Sequence, residues 1–240
     1  RSSDLRCIKP SEFDDAELEL HHFSDSSELA YGSCSYIRCI NKEGKIHTQL
    51  IMSKCKVAPL KQCTIPRLEL QAAVIAAKID NLLSKELNIK IDRSYFWVDS
   101  EIVLKYIGND TKRFHTFVGN RVGLIRRLSR PEQWNHISGM NNPADMLTRG
   151  VKVDRLCTQE WLLGPPMLKQ YKSEWDVNTV ESLDLAEDDR EVKHETPKFC
   201  VHNTQSDTQI GLHQVNQVNP LTRICQHYSG WYRMKRAVTW

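Results

Sequence analysis

The sequence predicts an α/β domain, a mixed sheet flanked by helices, on three observations. Between Glu19 and Met52 the chain reads as short strands separated by turns. A long helical repeat follows, with Leu68, Ala72, Ile75, Ile79, Leu82 and Leu83 at helical spacing. A short apolar strand, Tyr95–Val98, then alternates again with helices, the order that builds a helix-covered sheet.

Each element has its own signal. Leu20–Phe23 enters the first strand, and Ala30–Ile40 carries β-branched and aromatic residues. Lys45–Met52 alternates after the turn Asn41-Lys42-Glu43-Gly44, a hairpin pattern. A basic loop with Lys54, Lys56, Lys61 and Arg67 comes next. Pro66 opens the long helix, where its missing N–H costs nothing. Ile102, Val103 and Tyr106 continue as a helix to about Gly108. Phe114–Leu128 reads as a basic amphipathic helix, with Arg121, Arg126 and Arg127 on its polar side. Gln133–Ile137 is a further strand, and Asn142-Pro143 starts a short helix carrying Asp145. Trp161–Leu168 reads as an apolar flap with a Gly-Pro-Pro stop. After it, acidic and then Gln/Asn-rich residues have the composition of a flexible linker.

Composition narrows the function classes. Apolar residues make up 40% of the 240, enough for a core in part of the chain. Net charge is only +3, so any basic surface must be local. Eight cysteines form no CxxC pair, and there is no signal peptide or apolar run of membrane-spanning length. The expectation is an intracellular protein with reduced thiols and no membrane partner. The start at Arg1 suggests a piece of a longer precursor. Cys200-x-His202 and Cys225-x-His227 fit no usual zinc spacing.

Four acids occupy positions with a shared logic. Asp25 and Asp99 follow apolar strands, Glu69 lies in the first turn of the long helix, and Asp145 begins the short one. Sites in such sheets form outside the carboxyl ends of strands. Crowded carboxylates repel unless a cation neutralises them, and hard oxygen donors select Mg²⁺ or Mn²⁺. Two such ions would support an in-line phosphoryl displacement. Any one of the four could equally be a turn or helix-start acid.

The stretches FSDSSELAYGSCSYI, KVAPLKQCTIPRLELQAAVIAAKI, YFWVDSEIVLKYI, FVGNRVGLIRRL and QWNHISGMNNPADMLTRG carry more. In that order, from about Leu20 to Leu168, they resemble the ribonuclease H-like segment of BEL/Pao retrotransposon polyproteins. The resemblance implies the ribonuclease H fold with a five-stranded mixed sheet. It also implies a catalytic and metal-holding set of Asp25, Glu69, Asp99 and Asp145, binding two Mg²⁺ or Mn²⁺ ions. The implied activity is hydrolysis of the RNA strand of RNA/DNA hybrids during reverse transcription. Candidate nucleic-acid contacts are Ser26, Lys56, Lys61, Arg67, Ser100 and Arg121.

The same resemblance orders the chain. Residues 1–19 would connect from a polymerase region and 20–150 form the ribonuclease H-like domain. An apolar flap would span 151–173 and a linker 174–227, with 228–240 a basic tether towards an integrase region. Reverse transcriptase and integrase regions of one polyprotein would be its partners, in a cytoplasmic virus-like particle or the nucleus. One departure stands out: Ser138–Asn142, before the last Asp, holds no His, where many ribonucleases H carry one in a mobile loop. His136 lies earlier, in a strand. The alternative is therefore a weak or inactive hybrid-binding module. An integrase would need a helical Glu about 35 residues after the second Asp, and Glu132 follows Pro131 into a strand instead.

Overall fold

A computed structural model of the chain describes residues 8–150, 159–175, 184–186 and 188–193. All of them fall within one compact unit, Arg1–Glu195; a second unit, Thr196–Trp240, lies outside the described residues, as do the Cys-x-His pairs and the expected tether.

Five strands form one sheet: β1 Glu17–Ser26, β2 Ala30–Ile40, β3 Ile46–Val57, β4 Arg93–Val98 and β5 Trp134–His136, in the order β3-β2-β1-β4-β5. β1, β2 and β3 pair antiparallel, whereas β4 runs parallel to both β1 and β5. The sheet is therefore mixed, as expected. β1 and β2 are buried on both faces along almost their whole length, which demands cover on each side.

One face is covered by α1 (Ile65–Glu86), α2 (Glu101–Gly108) and α3 (Thr116–Leu128). Ala72, Ala73, Ala76 and Ala77 are fully buried, and their small side chains let α1 lie close to the strands. Leu68, Ile75 and Ile79 of α1 pack with Leu20, Tyr31 and Ile37 of the sheet. α2 and α3 close a second cluster around Phe96, Val98 and Trp134.

The other face is covered by α4 (Asp145–Arg149), α5 (Gln159–Leu163) and the 3-10 turns Pro166–Lys169 and Lys172–Glu174. Phe23, Cys34, Tyr36 and Trp97 meet Ala144, Trp161 and Leu168 there. Gly164 takes φ +77 at the flap's turn, and a Cβ on it would come within 3.0 Å of Leu168 and Tyr36. Arg38 is fully buried beneath the flap. It donates to Glu19 Oε2 at 2.7 Å and to the carbonyls of Leu168 and Gln170, both at 2.7 Å. Trp175 stands edge-on to His21, Tyr95 and Trp97, so the packed cover runs to residue 175.

Two expectations change. Lys54 and Lys56 belong to β3 rather than a loop, because β3 stays paired with β2 as far as Val57. Within the acidic stretch expected as a linker, Leu185 and Val192 are buried in the α1–α3 core. A bridge pairs Val192 with Phe114, and His115 N–H donates to the carbonyl of Glu191 at 2.8 Å. A stretch that exchanges backbone hydrogen bonds and buries apolar side chains is anchored, whatever its net charge.

Candidate active site

β1 and β4 run side by side, with Ser24 opposite Val98, so the next residues, Asp25 and Asp99, come level at the carboxyl end of the sheet. Glu69 approaches from the start of the second turn of α1, and Asp145 opens α4. Asp25 is buried, whereas Glu69, Asp99 and Asp145 are half-buried.

The chain after β5 is tied down onto this end. Ile137 N–H donates to Val98 O at 2.9 Å, and Asn142 Nδ2 donates to Ser24 O at 3.0 Å. Asn142 Oδ1 in turn accepts from Ala144 N–H at 3.1 Å, which sets the start of α4. One turn later Thr148 Oγ1 donates to Asp25 Oδ2, and Ser27 Oγ donates to Thr148 O at 2.8 Å. Asn142 and Thr148 are both buried and are site residues that acid-by-acid reading of the sequence passes over. Thr148 sits three residues after Asp145 on a helix, a spacing that puts both on one side. Gly139 lies over Asp99, and a Cβ there would stand 3.5 Å from Asp99 Oδ2.

The carboxyl groups feel one another. Burial pushes Asp25 up to about 6, with the charges of Asp99 and Asp145 adding to the rise and the Thr148 hydroxyl opposing it. Burial also raises Glu69, with the Asp25 charge adding and the Ser100 hydroxyl opposing. Asp99 is raised by burial and then by Glu69, with Asp145 a smaller contributor. All four sequence-predicted acids thus act on a common patch.

This donor set fits a hard divalent cation in kind: only carboxylate oxygens, crowded enough to disfavour their own charges. As placed, no three His, Cys, Asp or Glu side chains among the described residues converge on one ligating point. Three of the four acids have a competing partner instead. Arg149 Nε stands 2.5 Å from Asp145, Thr148 holds Asp25, and the Ser100 hydroxyl reaches Glu69.

The expected nucleic-acid contacts divide. Lys56 and Lys61 are exposed. Arg121 lies flat on Phe117, 3.4 Å from the ring centroid, and edges a groove beside Lys56. Arg67 is already paired, donating to both carboxylate oxygens of Glu191 at 2.6 and 3.1 Å. Ser100 is buried and turned to Glu69. Ser26 Oγ is buried with no hydrogen-bond partner among the described residues. The structure thus turns both serines inward. Arg126, on the polar side of α3, closes the end of α2 by donating to the carbonyls of Ile107 and Asn109.

Residues 5–100 match the family model of the Pao retrotransposon-like RNaseH-like domain. Over that stretch, about two fifths of the chain, it is similar to RNase H-like domains of Pao retrotransposons. The matched stretch includes Asp25, Glu69 and Asp99, and Asp145 lies beyond it. A search of curated proteins finds no match. Among solved structures, RNase H1 of Halobacterium salinarum is 14% identical, covering 55% of this chain and 95% of its own, at a TM-score of 0.37. An N-terminal RNase H domain of Mycobacterium tuberculosis is 10% identical, covering 56% and 91%, at 0.37. LC11-RNase H1, solved in complex with RNA/DNA hybrid, is 12% identical, covering 59% and 100%, at 0.38.

Proposed function

We propose that this domain is a metal-dependent nuclease that cuts the RNA strand of RNA/DNA hybrids during reverse transcription. One observation carries the reading. Four carboxylates from separate stretches of sequence gather at one end of the sheet, where burial and mutual repulsion raise Asp25, Glu69 and Asp99. Such an arrangement is costly for a fold and useful to a cation site.

Asp25 and Asp99 would hold the metal, with Glu69 and Asp145 completing the set. Bound Mg²⁺ or Mn²⁺ supplies an activated water and neutralises charge at the leaving oxygen. The chain's own part is placement. Thr148 fixes the rotamer of Asp25, Ser100 steadies Glu69, and Asn142 holds α4 against β1. Hybrid would be read through backbone shape and 2′-hydroxyls rather than base sequence. The domain would work beside the reverse transcriptase and integrase regions of its polyprotein, in a virus-like particle or the nucleus.

A second reading, a hybrid-holding module with little cleavage, is favoured by the His-free loop Ser138–Asn142 and by the engagement of Asp145 with Arg149. Incubating labelled RNA/DNA hybrid with the chain and Mg²⁺ or Mn²⁺ separates the two. RNA-strand cleavage that disappears with Asp99→Asn and with chelator supports the nuclease. Binding without cleavage by the folded chain in both metals overturns it in favour of the module.

A further inference from the structure

Across the sheet from Asp25 lies a groove of about 350 Å³, between the end of β3 and the outer sides of α1 and α3. Lys54 and Lys56 reach it from β3, Lys78 from α1 and Arg121 from α3, and among the described residues no Asp or Glu lines it. The three lysines are exposed. Clustered cations with no acid between them repel each other and draw in a polyanion. The floor is different in character: Val74, Leu82 and Leu124 present apolar surface, with Leu82 42% exposed.

Two properties select the kind of polyanion. A slot of this volume is of small-ligand size, so it admits a single strand rather than the flank of a duplex. An apolar floor below a cationic rim offers bases and sugars a dry surface under a phosphate backbone, here through aliphatic side chains rather than stacked rings. Position supplies the link to the carboxylates. Gly32 pairs with Asp25 on one side and with Cys55 on the other, so Lys54 and Lys56 bracket a residue two strands from Asp25. That is about 10 Å along the sheet. Alternation along the strands sends Asp25 to one face and the two lysines to the other. A strand leaving the carboxylates would therefore pass over the carboxyl edge of the sheet to enter the groove.

We infer that the groove between β3, α1 and α3 holds an unpaired stretch of the nucleic-acid strand flanking the duplex at the carboxylates. The inference rests on the nuclease reading for its direction, but its test reads binding alone. Fluorescence anisotropy on the full chain, in chelator so that nothing is cut, compares a blunt RNA/DNA hybrid with the same hybrid carrying an unpaired extension at either end. The wild-type chain is expected to bind one extended hybrid about tenfold more tightly than the blunt one, from two phosphate contacts and the apolar floor. Lys54→Ala/Lys78→Ala should abolish that preference while leaving blunt-hybrid affinity unchanged. Its salt slope on the extended substrate should fall by about 1.4, two phosphate contacts to single strand.

Equal wild-type affinity for blunt and extended hybrids would overturn the inference, as would a double variant that keeps the preference. Competition by poly-glutamate as effective as by unpaired strand would also overturn it, assigning the groove to an acidic protein partner. Loss of cleavage activity with the extension preference intact would sink the nuclease reading and leave the groove standing.

Discussion

Asp99 stores repulsion in the folded protein. Its carboxyl is raised by burial and by Glu69, so the ionised form costs more here than in the unfolded chain. Asp99→Asn removes that charge while keeping the side chain's size. In chelator the variant should melt at a higher temperature than wild type. Cleavage should fall by more than about 100-fold, the scale of losing one charge-stabilising group. Calorimetry and the hybrid assay together check the pair; a lower melting point without metal would contradict the stored repulsion. Thr148 makes a complementary case. Thr148→Ala should cost about 1 kcal/mol and slow cleavage, whereas Thr148→Ser, which keeps the hydroxyl, should do neither strongly. Equal behaviour of Ala and Ser would remove Thr148 from the positioning role. The acids were legible in the sequence because each sits next to an element boundary that apolar spacing marks. Thr148 and Asn142 were not, since their value lies in hydrogen bonds to Asp25 and to the Ser24 carbonyl, more than 100 residues away in sequence.

At the scale of elements, the flap is the least dispensable addition to the sheet. Arg38 spends three hydrogen bonds on Glu19 and on flap carbonyls, and its guanidinium lies over Trp175 at 5.3 Å. Arg38→Ala takes one of three partners from buried Glu19 and removes the donors to two flap carbonyls, and should cost about 3 kcal/mol, read as a fall in the urea midpoint. A loss below about 1 kcal/mol would mean that Lys172, which also pairs with Glu19, carries the site alone. α1 was readable because its apolar period persists over 22 residues. The end of β3 was not, because Ser53–Val57 is exposed and polar, and only pairing with β2 makes it a strand. The anchored stretch around Leu185 and Val192 was hidden by its acids, since two apolar residues seven apart give composition nothing to register. Glu191 closes that stretch onto Arg67, and Glu191→Ala should leave Arg67 free and strengthen hybrid binding by a few-fold. Unchanged binding would place Arg67 outside the nucleic-acid surface.

For the whole molecule, a mixed sheet covered by helices was legible, and acid sensitivity was not. Glu19 is held down to about 2, where burial is outweighed by hydrogen bonds from His21, Lys172 and Arg38. Burial lowers His21 to about 4, with Glu19 opposing. Both groups bind fewer protons folded than unfolded. Glu19 therefore supports the fold fully above its unfolded value of 4.5 and loses that support as pH falls towards 2. His21 adds no penalty above 6.5 and an increasing one as pH falls towards 4. Asp25, Glu69 and Asp99 act the other way, binding protons more readily folded than unfolded, so they offset the His21 penalty as pH falls from about 7 to 4. In chelator, stability measured by denaturant titration should change little down to about pH 4 and fall steeply below it as Glu19 is protonated; a steep fall already complete by pH 5 would show that the carboxylates do not store repulsion. Among the described residues no helix is long and apolar enough to cross a membrane.

The reach of the flap also sets a timetable. Tyr36 and Arg38 lie on β2, yet the carbonyls that cap them belong to Trp161, Leu168 and Gln170, as many as 132 residues later. At the pace of translation, about 5–20 residues per second, those partners arrive roughly 6 to 26 seconds after β2 has left the ribosome. Until then the face bearing Phe23, Tyr36 and Trp97 has nothing to bury it. Half of this domain's sheet must wait, uncovered, for the last stretch of its own chain, and that interval is when a nascent copy is most open to chaperones and to mispairing with its neighbours.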